Sequence, residues 1–101
     1  MKERRDPILT RQTMTVLSAL LDSAESLAGS NIASATGLAS GTLYPILIRL
    51  EAAKWIKSEW ETVDLTTKET PRRRLYSMTP LGTKRSREEA RAWKPLVERF
   101  A

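Results

Sequence analysis

The chain has 101 residues, 41% hydrophobic and 29% charged, with a formal net charge of +5, which fits one small folded domain rather than a disordered chain. It contains no Cys and no His, excluding disulfides, thiolate or imidazole metal sites, and imidazole base catalysis. No apolar stretch approaches the roughly 20 residues of a membrane span, and no apolar run of export-signal type follows the charged start Met1-Lys2-Glu3-Arg4-Arg5-Asp6-Pro7. A cytoplasmic protein without metal or cofactor is therefore expected.

Residues 1–9 read as a charged arm. Thr10 is placed to cap a first helix, in which Met14, Leu17, Leu20 and Leu21 recur at helical spacing and which ends near Ser23. Asp22 to Ser26 read as a loop or frayed helix end. A second helix is expected over 29–36, with Ile32 and Ala33 or Ala35 turned inward and Ser30 or Asn31 as its cap. Gly37 closes it, because glycine enters the left-handed region without a Cβ penalty. Ser40 is the expected cap of a third helix, whose Leu43, Ile46, Leu47 and Leu50 form an apolar stripe ending near Ala53. Pro45 falls early in it, where a missing amide costs less than in mid-helix.

Trp55 to Glu61 is rich in aromatic and branched residues and predicts a strand. Asp64 to Pro71 reads as a loop, and Arg72 to Met78 as the returning strand. Alternation puts Arg74, Tyr76 and Met78 on one face and Arg73, Leu75 and Ser77 on the other. Thr79-Pro80 is a helix start, with a capping hydroxyl before a proline at the first helical position. The last helix extends to about Phe100 and should bend at Pro95.

The positive charge is concentrated. Residues 1–67 carry net −1 and residues 88–101 balance, whereas residues 68–87 carry seven basic side chains against Glu69 alone. This points to a polyanion contact at a defined place, although a solvated basic surface fits the charge equally well. The second and third helices, joined through Gly37-Leu38-Ala39, match a helix-turn-helix, whose second member docks in the major groove of double-stranded DNA. Its first turn offers Ser40, Gly41, Thr42 and Tyr44 to phosphates and base edges; for Tyr44 a core position is the alternative. The hairpin brings Lys68, Arg72, Arg73 and Arg74 to the backbone or minor groove. At least one of these arginines should turn inward or pair with an acid such as Glu59 or Glu61, and Arg72 and Arg73 are favoured over Arg74 as contacts. Trp55 and Trp60 read as packing at the base of the wing.

Trp93, Leu96, Val97 and Phe100 make an apolar face on a helix that follows a complete small domain. A second copy would cover it, and the homodimer would present two recognition helices to a palindromic operator; folding back on its own domain is the alternative. The expected fold is thus mostly α with a two-stranded β wing (α+β). It is a winged helix-turn-helix domain with its arm over 1–79 and a dimerisation helix over 80–101. No paired acids or glycine-rich phosphate loop mark a catalytic residue, so an enzyme is not expected. The rival binding function is a winged helix protein-interaction module without direct operator contact.

Two blocks go beyond a generic helix-turn-helix. One is Gly37-Leu38-Ala39-Ser40-Gly41-Thr42-Leu43-Tyr44-Pro45-Ile46-Leu47, followed by Arg49-Leu50-Glu51 and Trp55-Ile56. The other is Pro71-Arg72-Arg73-Arg74-Leu75-Tyr76 with Met78-Thr79 and Gly82. Through these the chain resembles, over nearly its whole length, the PadR-like transcriptional regulators, in their short form with a single C-terminal helix. The resemblance implies a dimeric repressor on operator DNA, in many members released by a small aromatic or drug-like effector. In some relatives an aromatic side chain of the C-terminal helix lines a pocket at the dimer centre. Trp93 is the candidate here, and a plain dimer-core role fits it too. Two departures stand out. Ala28-Gly29 replaces an aromatic followed by glycine, and Lys54 replaces the glycine before the strand tryptophan. Lysine costs more than glycine in a left-handed backbone, so a different helix end is expected there.

Overall fold

The protein is described by a computed structural model covering residues 7, 9–62 and 72–100. Helix α1 (Arg11–Asp22) starts where the hydroxyl of Thr10 accepts a hydrogen bond from the amide of Thr13 at 3.1 Å. Helix α2 (Gly29–Thr36) ends on Gly37, which takes the left-handed conformation at φ 74°. Its cap is neither Ser30 nor Asn31 but Ala28, whose amide is accepted by the side chain of Asn31 at 3.3 Å. Helix α3 (Ser40–Ala52) likewise starts one residue earlier than expected, with Ala39 at its N-cap and the expected cap, Ser40, as its first residue. Neither alanine can accept an amide, so these helix starts depend on their packing rather than on a side-chain cap. Helix α4 (Pro80–Phe100) begins as expected: the hydroxyl of Thr79 accepts from the amide of Gly82 at 2.9 Å. Both α3 and α4 continue through their internal prolines, Pro45 and Pro95.

The wing has one strand more than its hairpin. Strand β1 (Leu27–Ala28) pairs with β3 (Arg74–Met78), which pairs with β2 (Ile56–Trp60), giving an antiparallel sheet of order β1-β3-β2. The register sets Leu27 opposite Tyr76 on one side of β3 and Ser58 opposite Tyr76 on the other. Two residues are too few to show an alternation, which is why β1 is silent in the sequence. Its effect is to tie the start of α2 to the wing. The loop expected over 64–71 and most of the N-terminal arm lie outside the described residues.

A single core joins the three helices to the sheet. Val16, Leu17 and Leu20 of α1 meet Ile32 of α2, Leu43, Leu47 and Leu50 of α3, and Ile56 and Tyr76 of the sheet. At about 1.5–3 kcal/mol for each large aliphatic side chain removed from water, this cluster orients α3. Trp55 is 2% exposed and belongs to it. Trp60 does not: it is 57% exposed, so the expectation that it packs at the wing base is corrected. It lies at the far end of β2, opposite Arg74 and beyond the edge of the core.

The end of α3 also differs from expectation. Lys54 takes the left-handed conformation at φ 67° despite its Cβ. The amide of Trp55 donates to the carbonyl of Leu50 at 3.0 Å and that of Lys54 to Glu51 at 3.0 Å, the pair of reversed bonds that glycine usually completes. The helix end is thus the one a glycine would give. What holds it is tertiary: the Thr79 hydroxyl donates to the Lys54 carbonyl at 2.6 Å, and the Thr79 amide to the Trp55 carbonyl at 3.0 Å.

Candidate nucleic-acid interface

The stripe Leu43, Ile46, Leu47 and Leu50 is buried, so the opposite side of α3 is fixed toward solvent. Ser40, Gly41 and Tyr44 are exposed in its first turns, and Thr42 is half-buried. Tyr44 combines the two alternatives: it is 42% exposed, yet its ring covers Gly29, where any Cβ would overlap it. Gly29 therefore makes room for Tyr44 at the start of α2. The same exposed face continues into Pro45, Ile48, Arg49 and Ala52. Ile48 was not singled out by its spacing, because one more aliphatic residue in an aliphatic helix carries no signal of its own.

A chain of polar contacts joins α3 to the wing. The Ser58 hydroxyl donates to the Glu51 carboxylate at 2.5 Å, and Nε of Arg74 donates to the Ser58 hydroxyl at 2.8 Å. The Arg74 guanidinium is 3.9 Å from the same carboxylate and sits over the Trp60 ring, 5.1 Å from its centroid. Tyr76 lies alongside. Burial pushes its phenol up, as do the nearby Tyr44 and Glu51, while Arg74 works in the other direction. Glu51 and Ser58 are the residues that side-chain reasoning on the sequence missed; a glutamate in a helix and a serine in a strand look like ordinary surface.

Arg73 is held differently. Its guanidinium donates to Glu61 at 2.8 Å, and its carbonyl accepts the Glu61 amide at 2.8 Å, extending the hairpin by one rung. The expected pairing of an arginine with Glu61 is present, and a second pairing, Arg74 with Glu51, accompanies it. Arg72, Arg73 and Arg74 are all exposed. Arg74 is therefore tied to the end of α3, through Ser58 and Glu51. Lys68 lies outside the described residues.

On α4 the outer half is bare. Leu96 is 55% exposed, Val97 59% and Phe100 79%. Trp93 is half-buried and donates its indole N–H to Glu89 at 3.3 Å. It lines a groove of about 660 Å³ between α1 and α4, together with Met14, Leu17, Leu21, Ser86 and Ala90. The Ser86 hydroxyl is buried there without a hydrogen-bond partner among the described residues.

The PadR-like family of transcriptional regulators matches residues 19–88, from within α1 to the first turns of α4. The chain belongs to this family. Its members are DNA-binding regulators rather than enzymes, and they generally bind DNA as dimers. Solved structures agree. A PadR-like transcription factor from Bacteroides fragilis is 28% identical over 89% of each chain, with a TM-score of 0.69. A PadR family regulator from Eggerthella lenta is 27% identical, at a TM-score of 0.72, over 87% of this chain and 76% of that one. A regulator from Bordetella bronchiseptica shares the fold, at 24% identity and a TM-score of 0.69, over 90% of this chain and 57% of that one. No curated protein matches. Among the described residues of this PadR-like protein, no helix is long and apolar enough to cross a membrane.

Proposed function

We propose that this PadR-like protein is a homodimeric repressor that binds a palindromic operator in double-stranded DNA. In this reading Ser40, Gly41, Thr42 and Tyr44 meet phosphates and base edges in the major groove, and Lys68, Arg72, Arg73 and Arg74 meet the flanking backbone. Residues 1–79 form the DNA-binding unit. The helix over 80–101 joins two copies through Trp93, Leu96, Val97 and Phe100. The observation that carries the reading is the polar chain Glu51–Ser58–Arg74, which couples the orientation of the basic wing to that of the exposed face of α3. Two elements that must grip one duplex together are thereby held at one angle.

A small aromatic effector releases the protein by occupying the groove at Trp93. Two facts support this part: the groove contains a buried hydroxyl without a partner at Ser86, and in the Bordetella bronchiseptica fold relative 6-hydroxynicotinic acid regulates DNA binding.

The test is titration of the protein onto random and selected duplexes at rising salt. Neutralised phosphates make log affinity fall linearly with log salt. Charge reversal at Arg72 and Arg73 should flatten that line by about two phosphate equivalents. Binding indifferent to salt and to both substitutions refutes operator binding and leaves the protein-interaction module.

A further inference from the structure

We infer that Ile48 is a specificity-determining residue of α3 that reads the 5-methyl group of a thymine in the major groove. The inference rests on the proposed operator binding and goes beyond it.

Ile48 is 67% exposed, the most exposed large aliphatic residue of the three-helix body. It stands two helical turns beyond Gly41, about 20° off the same line, and therefore at the middle of the exposed face, opposite buried Leu43, Ile46, Leu47 and Leu50. At Gly41 a Cβ would meet nothing within 4 Å, so the start of the helix carries no bulk that would hold a groove away from Ile48. An isoleucine so placed gains nothing from the core and leaves apolar area in water, about 25 cal/mol for each Å².

The chemistry of the rest of the face narrows the occupant. Gly41, Tyr44, Pro45, Ile48 and Ala52 include no amide side chain for adenine and no guanidinium for guanine. Arg49 alone has that capacity, and it lies at the edge of the face. The apolar group that the major groove displays is the thymine methyl. A protein partner is the other candidate for an exposed isoleucine, but the neighbourhood is cationic. Arg49 is the next residue. Glu51, three residues on, is 3.9 Å from the guanidinium of Arg74 of the wing, which stays 41% exposed. An exposed aliphatic side chain with Arg49 beside it and Arg74 near the same end of the helix fits a polyanion that carries methyl groups.

The experiment first selects bound duplexes from a random pool with the wild-type protein. Each thymine of the selected site is then replaced by uracil, which removes the methyl and leaves every hydrogen-bonding group. The expected result is one thymine position per half-site at which uracil weakens binding roughly fourfold, the transfer of one methyl group. Ile48→Ala should bind the thymine and uracil duplexes equally, and Ile48→Val should keep the discrimination. Uracil tolerated at every position, or discrimination that persists in Ile48→Ala, overturns the inference while salt-dependent binding keeps the proposed function standing. Loss of the dimer in Ile48→Ala, measured by sedimentation, also overturns it by assigning the residue to a protein contact. Failure of the wild-type protein to bind any duplex overturns the proposed function and this inference together.

Discussion

Arg73 and Glu61 face each other at the end of the hairpin beyond the Trp60–Arg74 pair, Nη2 to Oε2 at 2.8 Å, so part of the wing's positive charge is compensated from within. Both side chains are solvent-accessible, and an exposed pair of this kind orients more than it stabilises. Its consequence is for binding. Glu61→Gln removes the compensation and leaves Arg73 in place. Non-specific DNA affinity should rise, and the slope of log affinity against log salt should steepen by up to about one unit. Fluorescence anisotropy over a salt series checks this; an unchanged slope means that Arg73 does not meet a phosphate.

The same pair has a pH signature. The Arg73 guanidinium holds the Glu61 carboxyl below its ordinary value of 4.5, chiefly through the hydrogen bond. A lowered carboxyl contributes to stability above its unfolded value and loses that contribution as pH falls through the folded one. The pair is thus intact at neutral pH and opens only as pH falls through that lowered value. Carbon-13 NMR of the Glu61 carboxyl should show a depressed midpoint that moves back up in Arg73→Gln.

Lys54 keeps a left-handed backbone at φ 67°, a conformation costing about 1–2 kcal/mol for a residue with a Cβ. Lys54→Gly removes that strain at the expense of added freedom in the unfolded chain, for a net gain of about 1 kcal/mol. At about 4–8 °C per kcal/mol for a domain of this size, a thermal melt should show the variant a few degrees more stable. A lower midpoint would mean that the Lys54 side chain has a stabilising contact of its own.

Gly82 brings α4 against the body: a Cβ there would overlap the backbone of Trp55 at its carbonyl. A backbone neighbour cannot swing aside as a side chain can. Gly82→Ala should therefore cost more than 2 kcal/mol, seen as a shift of the urea midpoint, although alanine favours helix over glycine. The same substitution at Gly41, which has open space around it, should be neutral or slightly stabilising.

The bare stripe on α4 predicts an association. Leu96→Glu with Phe100→Glu places two like charges on each copy of the proposed interface, on side chains 55% and 79% exposed in the single chain. The fold should survive by circular dichroism. Sedimentation should shift from dimer to monomer, and operator affinity should fall at least tenfold because the two half-sites are no longer bound together. A dimer that persists places the interface elsewhere.

Residues near one another in the chain determined most of the architecture. Thr10, Gly37 and Thr79-Pro80 mark helix boundaries through contacts spanning four residues or fewer, and the apolar periods of α1 and α3 select their buried faces. Those signals are local, so they can be read without a fold. The third strand, the left-handed lysine and the exposed Trp60 were not legible, for one reason. Each depends on a partner far along the chain: β3 for β1, Thr79 for Lys54, Arg74 for Trp60. The same holds for the candidate site. The first turn of α3 and the arginine run were visible as residue types, but only the folded chain joins the last turn of α3 to Arg74 through Glu51 and Ser58. A hydrogen bond depends on distances of a few ångströms, and between residues 51, 58 and 74 those distances exist only once the sheet has paired and packed on the helix.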